Sequence, residues 1–162
     1  MITCEEIYDL HTTGALESAL CEAYREIPLD SRNSMRKNDT PLHMACAFAD
    51  ENAVRILLER GADVNVRNDD GDTPLCVLAK RKCCGKETTI AGIAGLLVSK
   101  EARVPRSGKN TTALIEAVGN RHFLMADILL MSGCRIDSTN SNGNNVLHVI
   151  CQSAGDIAYD IK

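Results

Sequence analysis

The stretch Thr40-Pro41-Leu42-His43 returns as Thr73-Pro74-Leu75-Cys76 after 33 residues, and this periodicity constrains the chain more than any other feature. Weaker forms follow: Thr112-Ala113-Leu114-Ile115 comes 39 residues later and Asn145-Val146-Leu147-His148 another 33 after that. A second marker travels with the first. Leu57-Leu58-Glu59-Arg60-Gly61 starts seventeen residues after Thr40, and Leu129-Leu130-Met131-Ser132-Gly133 starts seventeen after Thr112. Two linked markers at one period describe a stack of similar units, each contacting its neighbours alone.

The residues within the period read as a helix pair. Thr40 and Thr73 are N-caps, because the hydroxyl accepts a bond from a free N–H of the first turn. Pro41 and Pro74 occupy the first helical position, where a missing N–H costs nothing. Leu42, Ala45 and Cys46 share one face and are small enough for adjacent helices to approach closely. Val54, Ile56, Leu57 and Leu58 give the second helix a broad apolar face. Gly61 and Gly133 close their helices, since glycine takes the left-handed conformation freely. The runs Arg67-Asn68-Asp69-Asp70-Gly71 and Ser141-Asn142-Gly143-Asn144 are turn chemistry between units.

With these motifs the chain resembles the ankyrin-repeat family, well over residues 36–162 and weakly over 1–35. The resemblance implies an all-α ankyrin-repeat solenoid: antiparallel helix pairs with β-hairpin tips, about five repeats including degenerate ends. The expected organisation is one domain over 1–162. Residues 1–35 are a degenerate N-terminal cap, 36–68 a full repeat, and 69–107 a repeat with an insertion at about 81–89. A further repeat covers 108–140 and a partial one 141–162. The second helix of that last repeat is expected to start near Gly155. The sequence ends at Lys162 before any Leu-Leu pair, which reads either as a shortened capping helix or, the expectation preferred, as a piece of something longer. In the insertion-bearing repeat the second helix is expected over Thr88–Ser99, with Ile90, Ile93, Leu96 and Leu97 inward. Gly92 and Gly95 each weaken it by about 1 kcal/mol relative to Ala. Lys100 or Glu101 stands where a closing glycine belongs, so this repeat is expected to be the softest.

Composition narrows the function. Apolar residues make up 44% and aromatics 3%, with no Trp, so the core is aliphatic and suits packed helices. The net charge of −4 argues against general nucleic-acid binding. Yet Lys80–Lys109 carries eight Lys or Arg against two acids, a basic segment in an acidic chain. Lys80, Arg81, Lys82, Lys86, Lys100, Arg103, Arg106 and Lys109 could attract phosphate, but no aromatics accompany them for stacking. An acidic partner protein is the better expectation, with phosphate or nucleic acid on the basic insertion as an alternative. The eight cysteines fall mostly in apolar helical patterns (Cys21, Cys46, Cys76, Cys151) and read as small hydrophobes. Residues 1–10 do not form a signal peptide, and no run reaches the eighteen apolar residues of a membrane span. A reducing, cytoplasmic location is expected, or the host cytosol if the chain belongs to a secreted effector.

No catalytic constellation is present. His11, His43, His122 and His148 are scattered, and neither a phosphate-binding glycine loop nor H-E-x-x-H occurs. His43-x-x-Cys46 and His148-x-x-Cys151 have zinc-like spacing, but three units of about 10 Å each separate them. Cys83-Cys84 beside Lys82 and Lys86 is either an incidental thiol pair or a reactive one. No enzyme activity, cofactor or metal is expected.

The resemblance implies a protein–protein interaction scaffold, or alternatively an adaptor region of a larger enzyme or effector. In the family, partners contact the tips and the exposed side of each first helix. Carried onto this chain, the tip positions are Arg36, Lys37 and Asp39; Asp69, Asp70 and Asp72; Lys109 and Thr111; then Asn142 and Asn144. The helix positions are Ala47 and Phe48, Lys80 and Arg81, Gly119 and Asn120, then Gln152 and Ser153. Phe48 is either an exposed hot spot or packed beneath a neighbouring loop. Leu57 and Asn65 have the spacing at which the family hydroxylates asparagine, although Asn65 reads equally as structural. The expected partner is another protein, bound by a monomer with no membrane contact.

Overall fold

The computed structural model describes residues 2–82, 85–102, 112–137, 139–140 and 142–158, with the side chains of 112 and 153–158 outside the description. Among these residues the regular structure is entirely helical: α1 (Cys4–Thr13), α2 (Glu17–Glu26), α3 (Pro41–Phe48), α4 (Glu51–Glu59), α5 (Pro74–Ala79), α6 (Glu87–Ser99), α7 (Thr112–Gly119), α8 (Phe123–Met131) and α9 (Val146–Ala158). Odd-numbered helices form one layer, packed α1 on α3, α3 on α5, α5 on α7 and α7 on α9. The second layer runs α2 on α4, α4 on α6 and α6 on α8, and each pair folds back on itself. This is a two-layer helical solenoid.

Local chemistry sets the helix ends. Thr73 accepts from the Cys76 N–H, Asp50 from the Ala53 N–H, and Thr3 forms a reciprocal cap with Glu6. Gly61 and Gly133 close α4 and α8 with φ of 88° and 91°. Glu101, which follows α6 where no glycine is available, takes φ 62° despite its side chain. The helix expected over Thr88–Ser99 starts one residue earlier. Among the described residues no separate helix begins near Gly155, because α9 runs unbroken from Val146 to Ala158.

One continuous core fills the seam between layers. Leu42, Leu57, Leu75, Ile90, Ile93, Leu97, Leu114 and Leu129 are all buried in it. Each contributes roughly 1.5–3 kcal/mol over an exposed position. Leu147, the fourth leucine of the series, is 60% exposed, since among the described residues no further pair packs beyond α9. Cys46 and Cys76 are buried as small hydrophobes, and burial pushes the Cys46 thiol far up; Cys21 is half-buried and Cys151 exposed.

Among the described residues the expected β-hairpin tips do not form. Among the described residues no strand forms, and a single antiparallel bridge, Asn33 to Asp39, stands alone. The reason is a recurring asparagine. Asn33, Asn68 and Asn140 each open a tip and donate their N–H to the carbonyl of Asp39, Asp72 and Asn144 at 2.8–3.0 Å. Their side-chain oxygens then accept from inside the loop: Asn33 from Met35, Asn68 from Asp70 and Asp72, Asn140 from Asn142 and Asn144. These N–H groups are satisfied within the turn, leaving no ladder for a second strand. Adjacent tips meet through side chains plus one backbone bond, from the Asp69 N–H to the Lys37 carbonyl at 2.9 Å.

His43 ties one unit to the next. Its Nδ1 accepts the Thr40 N–H at 3.2 Å, and its Nε2–H donates to the Asp72 carbonyl of the following tip at 2.9 Å. Burial holds its pKa below the ordinary histidine range, although the Asp72 bond and the charge of Asp39 oppose this. Cys76, which replaces His43 one period on, accepts at its Sγ from the Thr73 hydroxyl at 3.4 Å.

Two outcomes follow. Asn68→Ala removes an acceptor for two N–H groups and a donor to Asp39 Oδ1 at 2.8 Å, so it lowers stability by about 2–3 kcal/mol in urea unfolding. The unfolded chain protonates His43 near pH 6.5 while the folded chain resists, so the His43 contribution is complete above that pH and is lost as pH falls below it. Urea midpoints at pH 7.5 and 5.5 therefore differ, and His43→Gln reduces the difference. It does not abolish it, since burial also lowers the His11 pKa against the opposing charge of Asp50.

Candidate functional site

The tips of the α3–α4 and α5–α6 pairs lean over the C-terminal halves of α3 and α5 and enclose a groove of about 430 Å³. Arg36, Lys37 and Asp39 come from the first tip, and Asn68, Asp70 and Asp72 from the second. Ala47 and Val77 form the floor, Lys80 and Arg81 the far wall, and Met35, 85% exposed, the rim. Eight positions drawn from the sequence thus meet around one cavity.

The charges within it are mostly spoken for. Lys37 pairs with Asp70, and Lys80 Nζ lies 2.6 Å from Asp72 Oδ2. Burial disfavours the Lys80 ammonium, but its hydrogen bond and charge interaction with Asp72 prevail and raise its pKa. Arg36 Nε stands 4.0 Å from Asp39 Oδ2 and its guanidinium lies over the Tyr8 ring at 4.9 Å. Arg81 donates from Nη1 to the Ala47 carbonyl at the end of α3, while its own carbonyl accepts from His122 Nε2 at 2.6 Å.

Other expected positions fall outside the groove. Phe48 is half-buried, stacked on His11 at 4.1 Å between centroids and tilted against Tyr8 at 5.7 Å, so it packs on the preceding helix α1. Asp69 is exposed and accepts from Asn38. The Asn120 side-chain amide donates to the Ala79 and Glu116 carbonyls. Asn142 donates its N–H to Asn140, and Gln152 is exposed on α9. Gly119 lies 3.3 Å, measured from a Cβ built on it, from Val149 and so faces α9. Lys109 and Thr111, the pair Cys83-Cys84, Arg103 and Arg106, and the Ser153 side chain lie outside the described residues. Asn65 donates to the Glu101 carbonyl at 3.3 Å. Sequence reasoning missed Met35, Val77 and Tyr8. Val77 follows from helical spacing three residues before Lys80, but a lone methionine in a turn carries no pattern.

Among the described residues no group of three or more His, Cys, Asp or Glu could hold a metal ion, and no helix is long and apolar enough to cross a membrane. The profile described as "Ankyrin repeat" matches residues 37–69, which hold Thr40-Pro41-Leu42-His43 and, from the first tip of the groove, Lys37 and Asp39. The chain belongs to the ankyrin-repeat family. Ankyrin repeats are typically non-catalytic scaffolds whose general role is protein–protein interaction. The chain is 34% identical to Ankyrin repeat-containing protein P1E11.10 of Schizosaccharomyces pombe over 68 residues, 38% of this chain and 33% of the relative. It is 31% identical to human Ankyrin repeat and SOCS box protein 16 over 70% of this chain and 24% of that one. Mouse Rabankyrin-5 is 30% identical over 77% of this chain and 10% of its own length. The chain thus spans a third or less of the length of these ankyrin-repeat relatives.

The two ion pairs differ in burial, and a double-mutant cycle separates them. Asp72 is 11% exposed and Asp70 40%, so the Lys80–Asp72 coupling is expected at about 1 kcal/mol and the Lys37–Asp70 coupling at a few tenths.

Proposed function

We propose that this ankyrin-repeat chain is an interaction scaffold whose partner protein lies in the groove between Met35 and Arg81. In this reading the units are 36–68, 69–107, 108–140 and 141–162, with 1–35 as an N-terminal cap, and the groove crosses the first junction. The observation that carries the reading is convergence. Arg36, Lys37 and Asp39 are more than 30 residues from Asp70, Asp72, Lys80 and Arg81 in sequence, yet all line one cavity that combines tips with inner-helix ends. Its floor is apolar, its walls are charged, and an exposed methionine stands at its mouth, which is the composition of a polar-rimmed contact surface. The surface extends past Arg36 to Phe48 on one side and towards Asn120, Asn142 and Gln152 on the other. Asp69 belongs to its tip edge; Lys109 and Thr111 are proposed with it from the repeat pattern of the sequence.

Site-specific photocrosslinking in the native cell tests this. A benzoylphenylalanine at Met35 is expected to give a discrete protein adduct, and one at Leu16, exposed in the α1–α2 turn, is expected to give none. Equal adducts from both, or adducts from Leu16 alone, would place the partner elsewhere.

A further inference from the structure

We propose that the segment seated in this groove is an extended stretch of a partner protein carrying an aspartate or glutamate beside an apolar residue, with the carboxylate held by Arg81. The inference rests on the groove reading and names the chemistry of its occupant.

The charges of the groove do not balance. Arg36, Lys37, Lys80 and Arg81 face Asp39, Asp70 and Asp72, leaving one positive charge in surplus. The surplus can be located. Lys37 has Asp70, Lys80 has Asp72 and Arg36 has Asp39 within 4.0 Å, whereas among the described residues Arg81 has no carboxylate in that range. A guanidinium carries five N–H donors. That of Arg81 spends Nη1 on the Ala47 carbonyl, while among the described residues Nη2 has no acceptor and, unlike the sealed Nε, is not closed off from solvent. An acceptor supplied from outside would satisfy donors that the fold leaves unmet, and a carboxylate matches the planar fork.

The same charges decide the class of occupant. Three carboxylates line the cavity, so a phosphodiester chain would meet repulsion along its length, while a segment with one acidic group can set that charge against Arg81 and carry none elsewhere. Ala47 and Val77 are half-buried and line the groove with Arg81 and the exposed Met35. They offer an apolar seat one residue away from the carboxylate. Arg81 is also fixed in place: His122, fully buried, donates to its carbonyl, so the guanidinium starts from a defined backbone position.

Phage-displayed random dodecapeptides selected on the full chain, with the winners synthesised and titrated, test the proposal. Winners are expected to place Asp or Glu next to an apolar residue, to weaken at least tenfold when that acid is changed to its amide, and to weaken with added salt. Arg81→Gln, which keeps an N–H for the Ala47 carbonyl, is expected to produce the same loss. Winners without an acid, or winners indifferent to its amidation, overturn the carboxylate anchor, and the amidation arm needs no protein variant. Met35→Asp and Val77→Arg keep the two readings apart. If these abolish binding while amidation does nothing, the groove stands and the anchor falls. If neither variant changes the affinity, the groove reading falls as well. Selection of no peptide above background counts against both.

Discussion

No helix pair in this protein can hide its own leucines. Leu42 and Leu57 disappear from water because α5 and α6 lie against α3 and α4, and Leu75 and Leu97 disappear because α7 and α8 follow. Stability is accordingly carried by junctions as much as by the pairs themselves. Everything on the surface is placed by that stacking, including the groove, which exists only because two tips are held side by side above two inner helices.

The junction below the groove is the best bonded among the described residues. His43 reaches the Asp72 carbonyl, Asn68 reaches Asp39, Arg32 spans the Asn38 and Arg67 carbonyls, and Arg81 closes the far end on Ala47. All of these are side chain to main chain or side chain to side chain, which suits a tip whose own backbone groups are used inside its turn. A rigid frame of this kind lets charged walls face one another across a gap without collapsing into it, and that is the physical basis for reading the gap as a binding surface.

The sequence made the helices legible because caps and apolar spacing are local signals. Thr73 before Pro74, and Gly61 after a leucine pair, need no tertiary context. Tip conformation was not legible in the same way. Asn33 and Asn68 read as turn residues, but their side-chain oxygens take the bonds that a ladder would have used, and only coordinates reveal which partner wins. Phe48 shows a different limit. Helical spacing puts it on the exposed strip, yet His11 of α1 rises to meet its ring, and the weak repetition of residues 1–35 hides that contact. The groove itself was half legible. Its charged walls lay at positions the ankyrin pattern highlights, while its rim methionine and valine floor obey no recurrent spacing.

Arg81 belongs to one unit by sequence and to three by bonding, since its side chain ends α3 and its carbonyl receives His122 from the turn before α8. The extra residues between α5 and α6 begin immediately beyond that node. Loop-closure entropy grows only slowly with length, so once the node is clamped on both sides, segments of different length can be spliced after residue 82 without disturbing the register of the pairs around it. The solenoid thereby keeps its outline fixed at the one place where its periodicity is broken.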